Sequence, residues 1–182
     1  GLEIWTYHLQ YYPAAQVHIT SDSADVREQS IKRLCYQLER GADVGVTKFV
    51  VHPCNTEHLP TEIRGEHLKR SIEALNKLDD VASKYGAYIA VEELPRTCLC
   101  NTIDEMKLIL ASNDRLRVCF DVNHLFTASH REFLRTFSDK IITIHVSDCI
   151  ETDERHWMPG EGVIDWDSVM QGFKEINYKG VW

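Results

Sequence analysis

Apolar residues in this 182-residue chain gather in short unbroken runs, separated by longer stretches with a helical period. Phe49-Val50-Val51, Tyr88-Ile89-Ala90-Val91, Val118-Cys119-Phe120 and Ile141-Ile142-Thr143-Ile144 read as strands buried on both faces, since a strand covered on each side has no polar face to alternate. Leu2 to Thr6 and Ala15 to Ile19 are shorter strand candidates. Val26 to Val44 carries Ile31, Leu34, Cys35 and Leu38 at helical spacing, and Gly45 stops it. Glu62 to Tyr85 repeats the pattern through Ile63, Leu68, Ile72, Leu75, Leu78 and Val81, with Gly86 as the stop. Thr102 and Glu105 have capping-box spacing and open a helix through Leu110. A helix near Arg131 to Phe137 and another from Trp166 to Ile176, capped by Asp165, complete the series, and Gly180-Val181-Trp182 reads as the opening of a further strand.

Strands alternating with helices at this spacing imply right-handed crossovers and a parallel sheet. A doubly wound open sheet needs a glycine-rich phosphate loop after its first strand, and neither GxGxxG nor a Walker A sequence occurs. A barrel is therefore expected, as one domain over residues 1–182. The pattern supplies six strands and a stub where a closed barrel needs eight. The expectation is an incomplete barrel lacking an opening strand and helix and a closing strand; an open-edged fold is the alternative.

The strand runs close on polar residues of one kind. His52, Glu92, Asp121 and His145 each end a run, His124 follows three residues after Asp121, and His18 ends the weaker run Ala14 to Val17. Parallel barrels place their chemistry at the carboxyl ends of strands, so these side chains are expected at one mouth, with the donor types of a divalent metal. The net charge of −8 argues against a nucleic-acid partner, which calls for a basic stripe. No apolar run reaches the roughly 20 residues of a membrane span, and no signal peptide opens the chain, so a cytoplasmic location is expected. Cys35, Cys54, Cys98, Cys100, Cys119 and Cys149 form no CxxC pair and read as reduced packing thiols.

Five strings together carry a resemblance: Val51-His52-Pro53, Val91-Glu92-Glu93-Leu94-Pro95, Phe120-Asp121-Val122-Asn123-His124, His145-Val146-Ser147-Asp148 and Pro159-Gly160-Glu161-Gly162-Val163-Ile164-Asp165-Trp166. From Leu2 to Trp182 the chain resembles the xylose isomerase-like barrels, a family of sugar and sugar-phosphate isomerases and epimerases that also includes endonucleases acting at abasic sites in DNA. The resemblance implies a (β/α)8 TIM barrel. It implies a divalent metal (Mn²⁺, Mg²⁺, Co²⁺ or Zn²⁺) held by Glu92, Asp121 and His145, with Glu92 also catalytic. The family's fourth ligand, a glutamate on the last strand, would lie past Trp182. Glu93 departs from the family's usual asparagine.

His124, His156, Arg155, His52 and His18 are the expected substrate-contacting residues, while Glu154 is evenly balanced against a solvated charge. His8, His58, His67 and His130 are expected at the surface, and Trp5 in packing rather than in a pocket wall. The implied function is sugar or sugar-phosphate isomerisation or epimerisation, by proton transfer through a metal-stabilised enediolate. The expected partner is a small-molecule sugar or sugar phosphate, with no nucleic acid and no membrane; a homo-oligomer is allowed. The rival is a zinc-dependent abasic-site endonuclease of the endonuclease IV type, and a third reading is an inactive barrel. Acidity, the lack of a glycine-rich loop after Glu92, and Ile164-Asp165-Trp166 favour the sugar enzymes.

Overall fold

The computed structural model of the chain describes residues 1–125 and 127–182. Five parallel strands stand in chain order in one sheet: β1 (Tyr7–His8), β2 (Lys48–Val51), β3 (Tyr88–Glu92), β4 (Arg117–Asp121) and β5 (Ile141–His145). The helices α1 (Ala24–Asp43), α2 (Thr61–Ala82), α3 (Ile103–Ala111) and α4 (His130–Thr136) are the crossovers between successive strands, and β1 and β5 form the edges. This is the arc of an incomplete parallel barrel. After β5 come an antiparallel hairpin, β6 (Asp148–Ile150) and β7 (Asp153–Trp157), and helix α5 (Trp166–Glu175).

Local chemistry sets the helix ends. Ser23, Thr102, Ser129 and Asp165 each accept from the backbone N–H three residues on, satisfying a donor that the first turn leaves free. Gly86, at φ +65°, takes the left-handed turn that releases the chain into β3. Among the described residues no helix is long and apolar enough to cross a membrane.

The two faces of the sheet bury different things. Phe49, Val51, Ile89, Val91, Val118 and Phe120 pack against Leu34, Leu38, Leu75, Leu78, Met106 and Phe133 of the helices in the main core. On the opposite face Val50, Ala90 and Cys119 form a small separate cluster. Because side chains alternate along a strand, the residues two positions beyond that cluster are His52, Glu92 and Asp121.

Several expected strands are absent. Leu2 is fully exposed and Ile4 half-exposed, so nothing drives Leu2 to Thr6 into a sheet, and the first strand lies at Tyr7–His8 instead. Ala15 to Ile19 contains a turn closed by Gln16 N–H donating to the Pro13 carbonyl at 2.8 Å, though Val17 and Ile19 are buried as their pattern suggested. Gly180 to Trp182 forms no strand; the Trp182 ring packs edge-on against Phe173, centroids 4.6 Å apart. The β6–β7 hairpin escaped prediction because Asp153-Glu154-Arg155-His156-Trp157 is half-buried to exposed and carries no apolar alternation.

Candidate functional site

All five parallel strands end at one cavity of about 580 Å³. Pairing puts His8 beside Val50, Glu92 beside Cys119 and Asp121 beside His145, so the inward residues step along the stagger of the strands toward one cavity. Glu92 is the hub. Its Oε2 lies 3.0 Å from His8 Nε2 and 3.4 Å from His52 Nε2, while its Oε1 lies 3.0 Å from His145 Nδ1 and 3.4 Å from His124 Nδ1. His145 Nδ1 is also 3.5 Å from Asp121 Oδ2. Glu92 and Asp121 are buried, at 1% and 2% exposure.

Burial raises the Glu92 pKa, but hydrogen bonds from His145, His52 and His8 outweigh it and hold the carboxyl well below its usual value. Burial works against the charged imidazoles too. Asp121 and Glu92 nonetheless push His145 up to about 10, and Glu154, Asp121 and Glu92 push His124 up to about 9. Glu93 faces away from the cavity, where burial first, then Asp121 and Glu92, drive its pKa well above normal. Its Oε1 accepts from the Asp121 N–H at 2.8 Å, so it buttresses the β4 terminus as a neutral acid.

The donor set fits a cation. His8 Nδ1 is committed to the Leu9 carbonyl at 2.8 Å, and His124 Nδ1 to the Glu93 carbonyl at 3.0 Å. Each imidazole then turns Nε2 toward a carboxylate, His8 to Glu92 at 3.0 Å and His124 to Glu154 at 2.8 Å, so lone pairs face each other unless a proton or metal lies between. A backbone carbonyl fixing one ring nitrogen is the usual support of a metal-ligating histidine. Donors bound to one ion at ~2.1 Å sit about 3.0–3.4 Å apart, close to the 3.0 and 3.5 Å separations of His145 from Glu92 and Asp121. The groups His8–His52–Glu92 and His124–Glu154–His156 are also compact enough to hold an ion.

Of the expected site residues, Glu92, Asp121, His145, His124, His156 and His52 line the cavity. His18 does not: it sits behind the wall, its Nε2 3.3 Å from Thr56 Oγ1. Arg155 does not either, because its position on β7 turns it outward to Asp153 Oδ2 at 3.3 Å. Arg96 is the cavity's arginine, anchored to Asp153 Oδ1 at 3.0 Å and Glu154 Oε1 at 2.8 Å. His8, expected at the surface, is a hub contact, since β1 falls later than the apolar pattern indicated. His67 and His130 are likewise not free at the surface: the first is 5% exposed, and the second donates to the Val122 carbonyl at 2.9 Å. Trp5 stays outside, under the Lys48 ammonium, and the aromatic wall is Tyr11, stacked on His52 with centroids 4.2 Å apart.

The Pro159 to Gly162 turn beside the cavity is organised by Asp148, which is fully buried. Its carboxylate accepts from the N–H of Cys149 (2.9 Å), Gly160 (2.8 Å) and Ile164 (3.2 Å) and from Trp166 Nε1 (2.8 Å). A Cβ at Gly162 would collide with the Cys149 carbonyl, so the close approach requires glycine. Burial raises the Asp148 pKa, but Trp166 and those N–H groups bring it down to about 2. With the folded value below the unfolded one, Asp148 contributes stability above about pH 3.8, lost as pH falls toward 2. Acid titration of tryptophan fluorescence should show a transition in that window, absent in Asp148→Asn; an identical transition in the variant would remove Asp148 from this role.

Residues 1–182 match the family described as xylose isomerase-like TIM barrel. The inosose isomerase of Bacillus velezensis is 32% identical over 156 residues, which cover 79% of this chain and 55% of that protein. A probable endonuclease 4 of Finegoldia magna is 27% identical over 168 residues, covering 83% of this chain and 58% of that protein. The crystal structure of a D-tagatose 3-epimerase-like protein superposes with a TM-score of 0.84 at 26% identity, over 97% of this chain and 68% of the other. The chain thus spans little more than half the length of either of those two curated relatives.

Proposed function

The chain belongs to the xylose isomerase-like TIM barrel family, and from that premise we propose that it carries the site of a divalent-metal-dependent sugar or sugar-phosphate isomerase or epimerase. One observation supports this most: buried Glu92 and Asp121 converge with His145 at metal-ligand spacing in a cavity large enough for a small sugar. The similarity to an inosose isomerase and to a D-tagatose 3-epimerase-like structure points to the same reaction class.

Glu92, Asp121 and His145 would hold the ion, with Mn²⁺, Mg²⁺, Co²⁺ and Zn²⁺ all compatible with two carboxylates and an imidazole. The ion, when bound, supplies Lewis-acid polarisation of a carbonyl, which acidifies the neighbouring C–H. Glu92 is the catalytic residue, because its Oε2 opens toward His8 and His52 and can take a proton that His8 Nε2, 3.0 Å away, then shares. His156, 3.3 Å from Asn123 Nδ2, presents a ring nitrogen that orients hydroxyls, while His124, both of whose nitrogens are held by the Glu93 carbonyl and Glu154, fixes the Glu154 carboxylate at the cavity wall. Tyr11 offers an aromatic face to the apolar side of a sugar ring, and buried Leu94 helps exclude water from that wall.

Metal binding must displace the proton on His145. Its pKa of about 10 predicts affinity rising with pH from 6 to 9, roughly tenfold per unit for the one proton released. Titration calorimetry in buffers of differing ionisation heat counts the protons directly, and none released at pH 7 would sink this protonation pattern.

A second reading has its own support. His8–His52–Glu92 and His124–Glu154–His156 are further groups able to hold ions, which suits a multi-zinc hydrolase acting at abasic sites. The deciding experiment pairs metal analysis with two assays. About one ion per chain, with deuterium exchange from D₂O into the carbon beside a ketose carbonyl, supports the isomerase reading. Two or three zinc ions with nicking of an abasic duplex, and no exchange into ketoses, would replace it.

A further inference from the structure

Two rim loops meet at a pair of sulfurs that the proposed chemistry does not use. Cys54 lies between β2 and α2, two residues after His52; Cys98 lies between β3 and α3, two residues after Arg96. Both are buried, at 1% and 6% exposure, yet both line the cavity, so a small molecule entering it can reach them. They pack in one apolar cluster with Leu59, Leu94 and Leu99, and the Cys54 S–H donates to the Thr56 carbonyl at 3.6 Å. The surrounding backbone is laced together. Leu99 N–H donates to Cys54 Sγ at 3.2 Å, Cys98 S–H donates to the Glu57 carbonyl at 3.4 Å, and Leu59 N–H donates to the Thr97 carbonyl at 3.3 Å. Arg64 adds bonds to the carbonyls of Thr97 (2.8 Å) and Cys98 (2.6 Å), holding the second loop against the first.

We propose that Cys54 and Cys98 are a redox modification site, a reversible disulfide formed by a peroxide that enters the cavity and joining the two rim loops. A disulfide needs two cysteines whose backbones already stand close with side chains facing, which these laced loops supply. Cys54 is the attacking sulfur, because the Leu99 N–H aimed at it stabilises negative charge there. Its thiolate attacks one peroxide oxygen, the O–O bond breaks, and the departing hydroxide takes a proton to become water, leaving Cys54 as a sulfenic acid. The Cys98 sulfur then attacks Cys54, the S–O bond breaks, and hydroxide leaves with the Cys98 proton as a second water. The two thiols lose two electrons in all, and the peroxide gains them. A thiol reductant reverses the step by exchange. With His52 and Arg96 each two residues from a bridged sulfur, the cross-link ties together two walls of the site.

The test treats the protein with hydrogen peroxide, alkylates it under denaturing conditions, and maps its peptides without reduction by mass spectrometry. The expected result is one cross-linked peptide pair joining Cys54 to Cys98, a fall in free thiols from six to four, and full recovery with dithiothreitol. Cys54→Ser and Cys98→Ser should each lack the cross-link. The wild-type map needs neither variant to fold. Recovery of both cysteines as alkylated thiols after an exposure that oxidises half-buried Cys35 would overturn the proposal. So would pairing of either with another cysteine, or oxidation of Cys54 to sulfinic acid with Cys98 still free.

Discussion

Replacing Asp121 or His145 by alanine is expected to lower divalent-metal affinity by at least ~100-fold while the chain stays folded. Each substitution removes one donor from a set of three whose spacing suits one ion; the nearest replacements, Cys119 for Asp121 and His124 for His145, are a buried thiol and an imidazole already held by Glu93 and Glu154. Glu93 carries a carboxyl group close to Asp121, but it faces away from the cavity and its Oε1 is engaged by the Asp121 N–H. Folding should survive because both residues sit at strand ends, outside the apolar core. Asp121→Ala gives up one local bond, from the Asn123 N–H to Oδ1 at 2.8 Å, costing about 1 kcal/mol. It also relieves the crowding of three carboxyl groups, which offsets part of that loss. Isothermal titration with Mn²⁺ or Zn²⁺, alongside circular dichroism, checks both halves. Affinity within threefold of the parent in both variants would end the assignment of these ligands.

Phe120→Ala should cost about 3–5 kcal/mol of folding stability, the largest loss expected from one core truncation here. Phe120 is completely buried on β4, one residue before Asp121. Its ring stacks on Phe133 with centroids 5.1 Å apart and meets Phe173 at 5.9 Å and His130 at 6.1 Å, so it joins the sheet to α4 and α5 at once. Aromatic neighbours held by two different helices cannot collapse readily into the space, and the cavity term is added to the lost transfer energy. Urea denaturation reads the difference directly. A loss under 1 kcal/mol would show that the surrounding helices close over the gap, and that this corner is less rigid than its packing implies.

Strand positions followed from sequence wherever burial on both faces left an uninterrupted apolar run. Arg117–Asp121 and Ile141–His145 begin and end where the pattern placed them. The metal-type residues at their ends were legible for the same reason, because a parallel strand covered by helices has only its carboxyl end free for polar chemistry. Helix caps at Thr102 and Asp165 were legible too, being local hydrogen bonds between residues three apart. His8 was not legible: a two-residue strand at the edge of a sheet has no run to recognise, and only its pairing with β2 brings it to Glu92.

Partner choice was also a matter of three dimensions. Sequence offered Arg155 as a substrate contact, yet the exposed hairpin turns it outward, and Arg96 reaches the cavity from a different loop. Nothing local decides between them, since which arginine reaches the cavity depends on the paths of two loops far apart in the chain. Glu92 and Glu93 show the same division. The chain alone presented adjacent carboxylates, while the alternation that continues from Ala90 sends Glu92 into the cavity and Glu93 to the Asp121 backbone. Sequence thus determined which elements form and which residue types end them, because those depend on neighbours along the chain. Tertiary structure decided which side chains share a cavity, because that depends on strand register and loop path.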